Sequence, residues 1–411
     1  MDSLLKKYLR GDATLWVVFI MLCVVSIIEM YSASSTLAYK AENHTAPVLR
    51  HVSFLAGGAL LAIFVHLIPY RFIRLMSYVG LLVSVLMLIW VLFKGQSEND
   101  ATRWLVIGGV QFQPSELAKL SVIIVAADFI SRIKNPETDE KKYFRNTMIL
   151  LAVVCPLILL ENFSTAVLLF GVVYLMMFVG RISLKRLGLV GGVILLGIVL
   201  GFSAVKLIPQ EKMPEAFDRA YTWVARIDRF TGDKEADAET SKYEINDENR
   251  QVQHGRIAIA RGGILGVGPG NSVERDFLPQ AYSDFIYAII VEELGLIGGI
   301  FVILLYLVLL YRAGRIATTS PTVFPAVLVI GLSLMIVTQA FVSMSVATSL
   351  GPVTGQPLPL ISRGGTSILI TCLYFGIILG VTRQIRESNQ GKNEMDEKPE
   401  EEVPVVTLDE L

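Results

Sequence analysis

The sequence predicts an all-α, polytopic membrane protein with ten transmembrane helices and one large extracytoplasmic loop. Three observations carry this. Of 411 residues 53% are hydrophobic, and mean hydropathy is +0.57, whereas soluble domains are about 45–50% apolar and lack long unbroken apolar runs. Apolar runs of the length that crosses a bilayer as a helix, about 20 residues, recur from end to end. The runs are continuous rather than alternating, which argues against a β-barrel.

The runs fall at 15–35, 50–68, 74–94, 115–132, 145–161, 164–180, 187–208, 284–311, 322–349 and 365–384. The first is followed by "MYSASS", but its length favours a retained helix over a cleaved signal. In the fourth, Pro114 is placed to open a helix. Alternate connections are rich in Lys and Arg ("LLKKYLR", "YRFIR", "SRIKNPETDEKKYFR", "RISLKR", "YRAGR", "TRQIR"), and the opposite set is poor in them. The positive-inside rule then puts both termini, 1–14 and the tail, in the cytoplasm.

Two segments lie outside the ten-helix domain of 15–386. The connection 209–283 faces outward in this topology. Its front, "PEAFDRAYTWVARIDRF", has helical apolar spacing and reads as an interfacial amphipathic helix. Its middle is polar, and its end, "HGRIAIARGGILGVGPGNSVERDFLPQ", is glycine-rich. The tail from Glu387 to Leu411 holds nine acids and two lysines with no core-forming pattern, so it is expected to be disordered.

The net charge of −1 says nothing about nucleic acid, and no nucleic-acid partner is expected. Cys23, Cys155 and Cys372 all sit inside apolar runs, too scattered for a disulfide framework or a zinc site. The four histidines have no metal-ligand spacing. The glycines of 262–270 match neither a dinucleotide nor a phosphate-loop pattern.

Chemistry points instead to acids in or near the apolar runs. Asp284 stands at the mouth of the eighth run. A plain reading makes it a helix-start acid, worth about 0.3–1 kcal/mol. Glu292 and Glu293 lie two turns further on, where an ionised acid costs about 2.5–3.5 kcal/mol on insertion scales. In a continuous helix they are about 12 Å past Asp284, and Glu292, about 80° around the axis, is the one that could share Asp284's side. That separation exceeds the roughly 5–9.5 Å of a glycosidase carboxylate pair. One carboxylate acting alone as a base stays open.

Two further stretches are candidates. In "ATRWLVIGGVQFQPSELAK", Glu116 and Lys119 are i,i+3 neighbours that pair with each other in the plain reading, while Lys119 and Arg103 could hold a diphosphate. Trp104 serves equally as an interface anchor. "GPVTGQPLPLISRGGTS", 351–367, has too many glycines and prolines to be helical throughout. Irregular backbone at membrane depth belongs inside protein or beside a wet cavity, and its N–H groups with Arg363 could bind an anion. Glu161 with Ser164 or Thr165 could join the same cavity. Glu29 has no evident partner in the sequence.

Three blocks, "TRWLVIGGVQFQPSELAKL", "GGILGVGPGNSVERDFLPQAYSDFIYAIIVEELG" and "GPVTGQPLPLISRGGTS", resemble the signature blocks of the SEDS family (shape, elongation, division and sporulation), over residues 15–386. Within it, "GNS" before "LPQAYSDFIYAIIVEELG" is more similar to the cell-division branch than to the elongation branch. The resemblance implies a peptidoglycan glycosyltransferase of the cytoplasmic membrane and division septum. It would polymerise lipid II on the outer face with a class B penicillin-binding protein, a transpeptidase, and other division proteins.

The resemblance places the family's essential aspartate on Asp284, and its arginine and lysine on Arg103 and Lys119, with Glu116 between. The candidate substrate-binding set is then Arg103, Glu116, Lys119, Glu292, Ser362, Gly364 and Gly365, with Asp284 catalytic. No protein cofactor is evident. A divalent cation on the lipid diphosphate is compatible, but no dedicated ligand set is present.

The chain departs from the family pattern in three places. "ENFSTA" stands where "QPDLGTA" is usual, so Ser164 receives no catalytic role. Arg363 stands where tyrosine is common, and Gln253–His254 where "QS" is common. Competing readings are a lipid II flippase, which predicts acids at several depths, and a recruiting scaffold, which leaves the outward acids and cations without a task.

Overall fold

A computed structural model describes residues 11–33, 46–94, 96–98, 101–107, 110–134, 139–207, 218–232, 245, 249–278 and 281–396. Each of the ten apolar runs is one helix: α1 (Ala13–Ala33), α2 (Ala46–His66), α3 (Tyr70–Lys94), α4 (Pro114–Ile133), α5 (Glu140–Glu161), α6 (Phe163–Val179), α7 (Leu184–Leu207), then, after α8 (Asp218–Gly232) and α9 (Arg250–Gly262), α10 (Ile286–Thr319), α11 (Val323–Ala347) and α12 (Gly365–Asp396). Among the described residues, eight helices are long and apolar enough to cross a membrane. The other two of the ten differ for readable reasons. α6 has only 17 residues, and α4 carries Glu116, Lys119, Asp128 and Arg132.

Local chemistry sets several boundaries. Pro114 opens α4 as its spacing predicts, where its missing N–H costs nothing. Asp139 caps α5, its side chain accepting from the Lys141 N–H at 2.9 Å. Asn162, with extended backbone at φ −155°, separates α5 from α6 and accepts from the Thr165 N–H at 3.3 Å.

The centre of the bundle is α4, α10, α11 and α12. Their buried Val, Ile, Leu and Ala side chains form one continuous apolar core. α12 approaches α2 through small residues. A Cβ on Gly376 would stand 2.8 Å from the Ala62 carbonyl oxygen, and one on Gly58 2.6 Å from Cys372 Sγ. Without a hydrophobic drive between helices in lipid, such close backbone contact supplies the attraction. α3 and α7 sit outside this core with most of their apolar side chains exposed, as lipid-facing helices do.

Three differences from expectation matter. The connection before α4 is not a plain loop: β1 (Gln96–Glu98), β2 (Ala101–Ile107) and β3 (Val110–Phe112) form an antiparallel sheet in the order β1-β2-β3. The tail does not leave helix at Glu387, because α12 runs on to Asp396. An Arg383–Glu387 pair at i,i+4 supports that extension. The segment 214–230, by contrast, does contain the expected amphipathic helix, α8, which packs Ala220 and Val224 on Val205 of α7. Residues 1–10, most of the polar middle of the long connection, and 397–411 lie outside the described residues.

The largest difference is in α10. Gly295 has φ 71° and ψ −175°, so the helix is broken there. Ile286–Leu294 is a half-helix about 13 Å long, too short to span, whereas Leu296–Thr319 is about 36 Å long. Every residue from Ile286 to Glu293 is buried in protein.

Candidate functional site

The glutamates of the half-helix are not in lipid, because the glycine-rich connection 262–276 lies against the break. The Val267 N–H donates to the Glu292 carbonyl at 3.0 Å and the Gly268 N–H to that of Glu293 at 2.9 Å. In return the N–H groups of Leu296 and Ile297 donate to Gly263 and Ile264. The connection thus satisfies backbone groups that a helix end leaves orphaned.

The two carboxylates tie down the same segment. Glu292 accepts from the Ser272 hydroxyl and from the Val273 N–H at 3.1 Å, with Arg261 Nη1 at 3.6 Å. Glu293 accepts from the Ser32 hydroxyl and from the Gly270 N–H at 2.9 Å, with Arg275 Nη1 at 3.7 Å. His254 Nδ1 meets Glu274 Oε2 at 2.6 Å and fastens the end of the connection to α9. The expectation that Glu292 lines Asp284's pocket is therefore corrected. It followed from helix geometry alone, which does not show that the connection 262–276 packs against this face. Glu292 is wholly buried and its oxygens are engaged by the glycine-rich connection.

Asp284 lies in the turn 281–285 just before α10. The helix N-cap is Phe285, which makes no side-chain cap. Asp284 is half-buried, and its Oδ1 accepts from the Ser283 hydroxyl at 2.9 Å. Gly355, whose φ of +67° favours glycine, lies against this carboxylate: a Cβ there would stand in van der Waals contact with Asp284 Oδ2, at 3.7 Å.

The irregular segment 351–364 builds the surroundings. The Ser362 hydroxyl donates to the Ser283 carbonyl at 2.7 Å and accepts from the Leu358 N–H at 2.8 Å. The Arg363 N–H donates to the Tyr282 carbonyl at 2.9 Å. Four other helices hold the segment from behind, through Ser26 to Ile361, Thr165 to Gln356, Tyr306 to Pro359 and Gln339 to Pro357. The Thr366 hydroxyl ties the start of α12 to the Gln111 carbonyl of β3 at 3.1 Å. Ser362 thus holds the turn that carries Asp284, and Gly364 and Gly365 line a pocket together with Ser283.

Two cavities flank this segment. A polar pocket of about 230 Å³ is lined by Arg50, His51, Trp104, Tyr282, Ser283 and Arg363, with Gly364 and Gly365 at its edge. Trp104 is therefore a pocket wall. An apolar groove of about 310 Å³ runs between α6, α8 and α11, from Phe163 and Leu175 to Trp223 and Val342, and ends at Pro352–Thr354. Arg226 stands in that groove and donates to the Val353 carbonyl at 3.2 Å. Ser164 lines it as well.

Lys119 is not in the polar pocket. It is fully buried, with its Nζ 2.7 Å from Glu116 Oε1 and 3.0 Å from Gln339 Oε1. It reaches the segment only through Gln339, whose Nε2 donates to the Pro357 carbonyl. Of the two readings open for Glu116 and Lys119, mutual pairing is the observed one. The backbone of Arg103 lies in β2, beside Trp104, and its side chain lies outside the described residues.

Arg50 and His51 were missed in the sequence. Nothing in the apolar run around them announces a site, and the one available signal is an Arg-His pair at the head of a span. Among the described residues no group of three or more metal-ligating side chains exists. Asp128, another acid within a run, neutralises Arg74 and Arg132 at the opposite end of α4 from Glu116.

Known proteins share this architecture. A chain of a peptidoglycan synthase complex, solved for the coordination of polymerization and crosslinking, superposes with a TM-score of 0.69 at 22% identity, over 91% of this chain and 98% of that one. The rod shape determining protein RodA of Thermus thermophilus does so with a TM-score of 0.63 at 23% identity, over 92% and 98%. At that identity they establish the fold. Among curated proteins, the probable peptidoglycan glycosyltransferase FtsW of Saccharophagus degradans is 32% identical over 94% of this chain and 96% of its own length. That of Bacillus subtilis is 30% identical over 95% of each. The family model FTSW_RODA_SPOVE, described as cell cycle protein, matches residues 12–387. The described helices and these matches make the chain an integral membrane protein, and it belongs to the FtsW/RodA/SpoVE family of cell cycle proteins.

Proposed function

We propose that the chain is a peptidoglycan glycosyltransferase that joins lipid II units into glycan strands. The single observation that carries this is the position of Asp284. Its carboxylate is half-buried in a turn whose preceding residues, Tyr282 and Ser283, line a pocket that also carries Arg50 and Arg363.

The chemistry needs one base and positive charge near a leaving diphosphate. The 4-hydroxyl of the acceptor GlcNAc is a poor nucleophile, and Asp284 takes its proton as the new C–O bond forms. The bond from the donor's anomeric carbon to the diphosphate breaks, and the electron pair leaves on the diphosphate oxygen. Direct displacement inverts that carbon from α to β. Cations and loop N–H groups fixed in advance offset the developing charge. The apolar groove beside the same segment suits a polyprenyl chain, which must enter sideways from the bilayer. A divalent cation, where one takes part, rides on the substrate diphosphate.

In this reading the pocket end faces outward, both termini are cytoplasmic, and the chain works at the division septum with a class B penicillin-binding protein. The similarity to FtsW proteins and to a peptidoglycan synthase complex supports this. The flippase reading is less favoured. Glu116, Asp128, Glu292 and Glu293 are engaged structurally, which removes most of the acids a polar route would use.

The test is reconstituted polymerisation of lipid II by the full chain with its transpeptidase partner. Asp284→Asn is expected to lower the rate by a factor of at least about 100, the lower end of losses seen for removed general bases, while lipid II still binds. Strand synthesis at the wild-type rate by that variant would rule out the base assignment.

A further inference from the structure

Two guanidinium groups, Arg50 on α2 and Arg363 at the end of the irregular segment, face one polar pocket. Neither is ion-paired to a described residue, whereas three cations buried in or against the bundle are. Lys119 is neutralised by Glu116, Arg275 lies by Glu293, and Arg312 is paired with Asp12. The Arg363 guanidinium lies over the Tyr282 ring, its carbon 5.0 Å from the ring centroid. That stacking covers one face and leaves the edge N–H groups available, the edge that binds phosphate oxygens in pairs. His51 stands beside them with Nε2 held by the Ser26 hydroxyl at 2.8 Å, while its buried Nδ1 has no hydrogen-bond partner. Arg50 is exposed and Arg363 half-buried, and two like charges lining one pocket are both stabilised by an anion between them.

We propose that Arg363, acting with Arg50 across this pocket, is the group that binds the departing polyprenyl diphosphate in this chain. The inference rests on the polymerase reading above and supplies a cation that Lys119, buried and neutralised, does not. As the sugar–diphosphate bond breaks, the diphosphate gains one unit of negative charge, and a second guanidinium there gains most in the transition state. Ser283 lines the pocket and is the neighbour of Asp284, so the leaving group and the base sit on two sides of one turn. The Arg363 backbone is itself tied to that turn by its bond to Tyr282.

The experiment uses the full chain in nanodiscs with its transpeptidase partner. Affinity for undecaprenyl diphosphate and for undecaprenyl monophosphate is read from Trp104 fluorescence against a Trp104→Phe control. Turnover is measured at saturating lipid II. Arg363→Gln is expected to weaken diphosphate binding about tenfold or more, with a smaller change for the monophosphate. Turnover is expected to fall about a hundredfold. Arg363→Lys should recover part of both, since it keeps the charge and loses the paired geometry.

Unchanged diphosphate affinity and turnover in Arg363→Gln would overturn the inference. If that variant does not fold, Arg363→Lys decides: a fall in diphosphate affinity supports the proposal and wild-type affinity refutes it. Asp284→Asn separates the two claims, because it should bind undecaprenyl diphosphate normally yet make strands at least about a hundredfold more slowly. If it makes strands at the wild-type rate, the polymerase assignment of Asp284 is wrong. If it is slowed as expected, and Arg363→Gln behaves as wild type, the leaving-group assignment alone is wrong.

Discussion

At the scale of single residues, identical chemistry divides into different tasks by what stands within about 3 Å. Glu116 and Lys119 form a buried pair whose lysine also holds Gln339, and Gln339 holds the segment that surrounds Asp284. Removing one member of such a pair strands the other charge, at a cost of about 3–5 kcal/mol, whereas apolar replacement of both is often tolerated. Lys119→Ala is expected to lower stability by that amount in thermal or denaturant unfolding. The double variant Glu116→Leu with Lys119→Met is expected to regain most of it. If the double variant is as unstable as the single one, the pair is not the main role of Lys119. Glu29 is fully buried with no hydrogen-bond partner for either carboxylate oxygen among the described residues, and nothing in the structure explains it.

Elements show the same division between what patterns announce and what contacts decide. The apolar runs were legible because each must be about 20 residues long to cross a bilayer. The break in α10 was not, since a lone Gly after "VEEL" is tolerated in many helices. It is a break here because the glycine-rich connection occupies the place of the next turn. A Cβ on Gly295 would lie 2.2 Å from the Ile264 carbonyl oxygen, and one on Gly266 2.2 Å from that of Glu293. Gly295→Ala therefore meets both a collision and a left-handed φ, which alone costs about 1–3 kcal/mol. A lower unfolding temperature and faster proteolysis within 262–276 are the expected outcomes. An unchanged unfolding temperature would contradict the described seam. β1–β3 were overlooked for a different reason: three short strands in a glycine-containing connection read as a loop unless the pairing is known.

Taken as a whole, the molecule concentrates its irregular backbone and its pocket at one end of the bundle. The turn 281–285, the segment 351–364 and the sheet meet there. In the proposed orientation, which the Lys/Arg pattern of the connections supports, that end faces outward. Ile245, exposed in the long connection, offers a test. In intact cells an Ile245→Cys variant is expected to react with a membrane-impermeant maleimide, while the three native cysteines, all within spanning helices, stay unlabelled. Labelling only after the membrane is opened would invert the topology and move the proposed chemistry to the wrong side.

By itself the sequence determined the class of fold, the ten spans, the family and the place of Asp284, because each depends on hydrophobic length or on residues contiguous in the chain. Only the tertiary structure decided that Glu292 and Glu293 hold a connection in place, that Lys119 is spent in the core, and that Arg50 joins Arg363 in one pocket. Those outcomes turn on partners such as Ser26 and Ile361, 335 positions apart, or Gln356 and Thr165, 191 apart. No local pattern encodes such meetings. They follow from helices packing until most buried polar groups have found a partner.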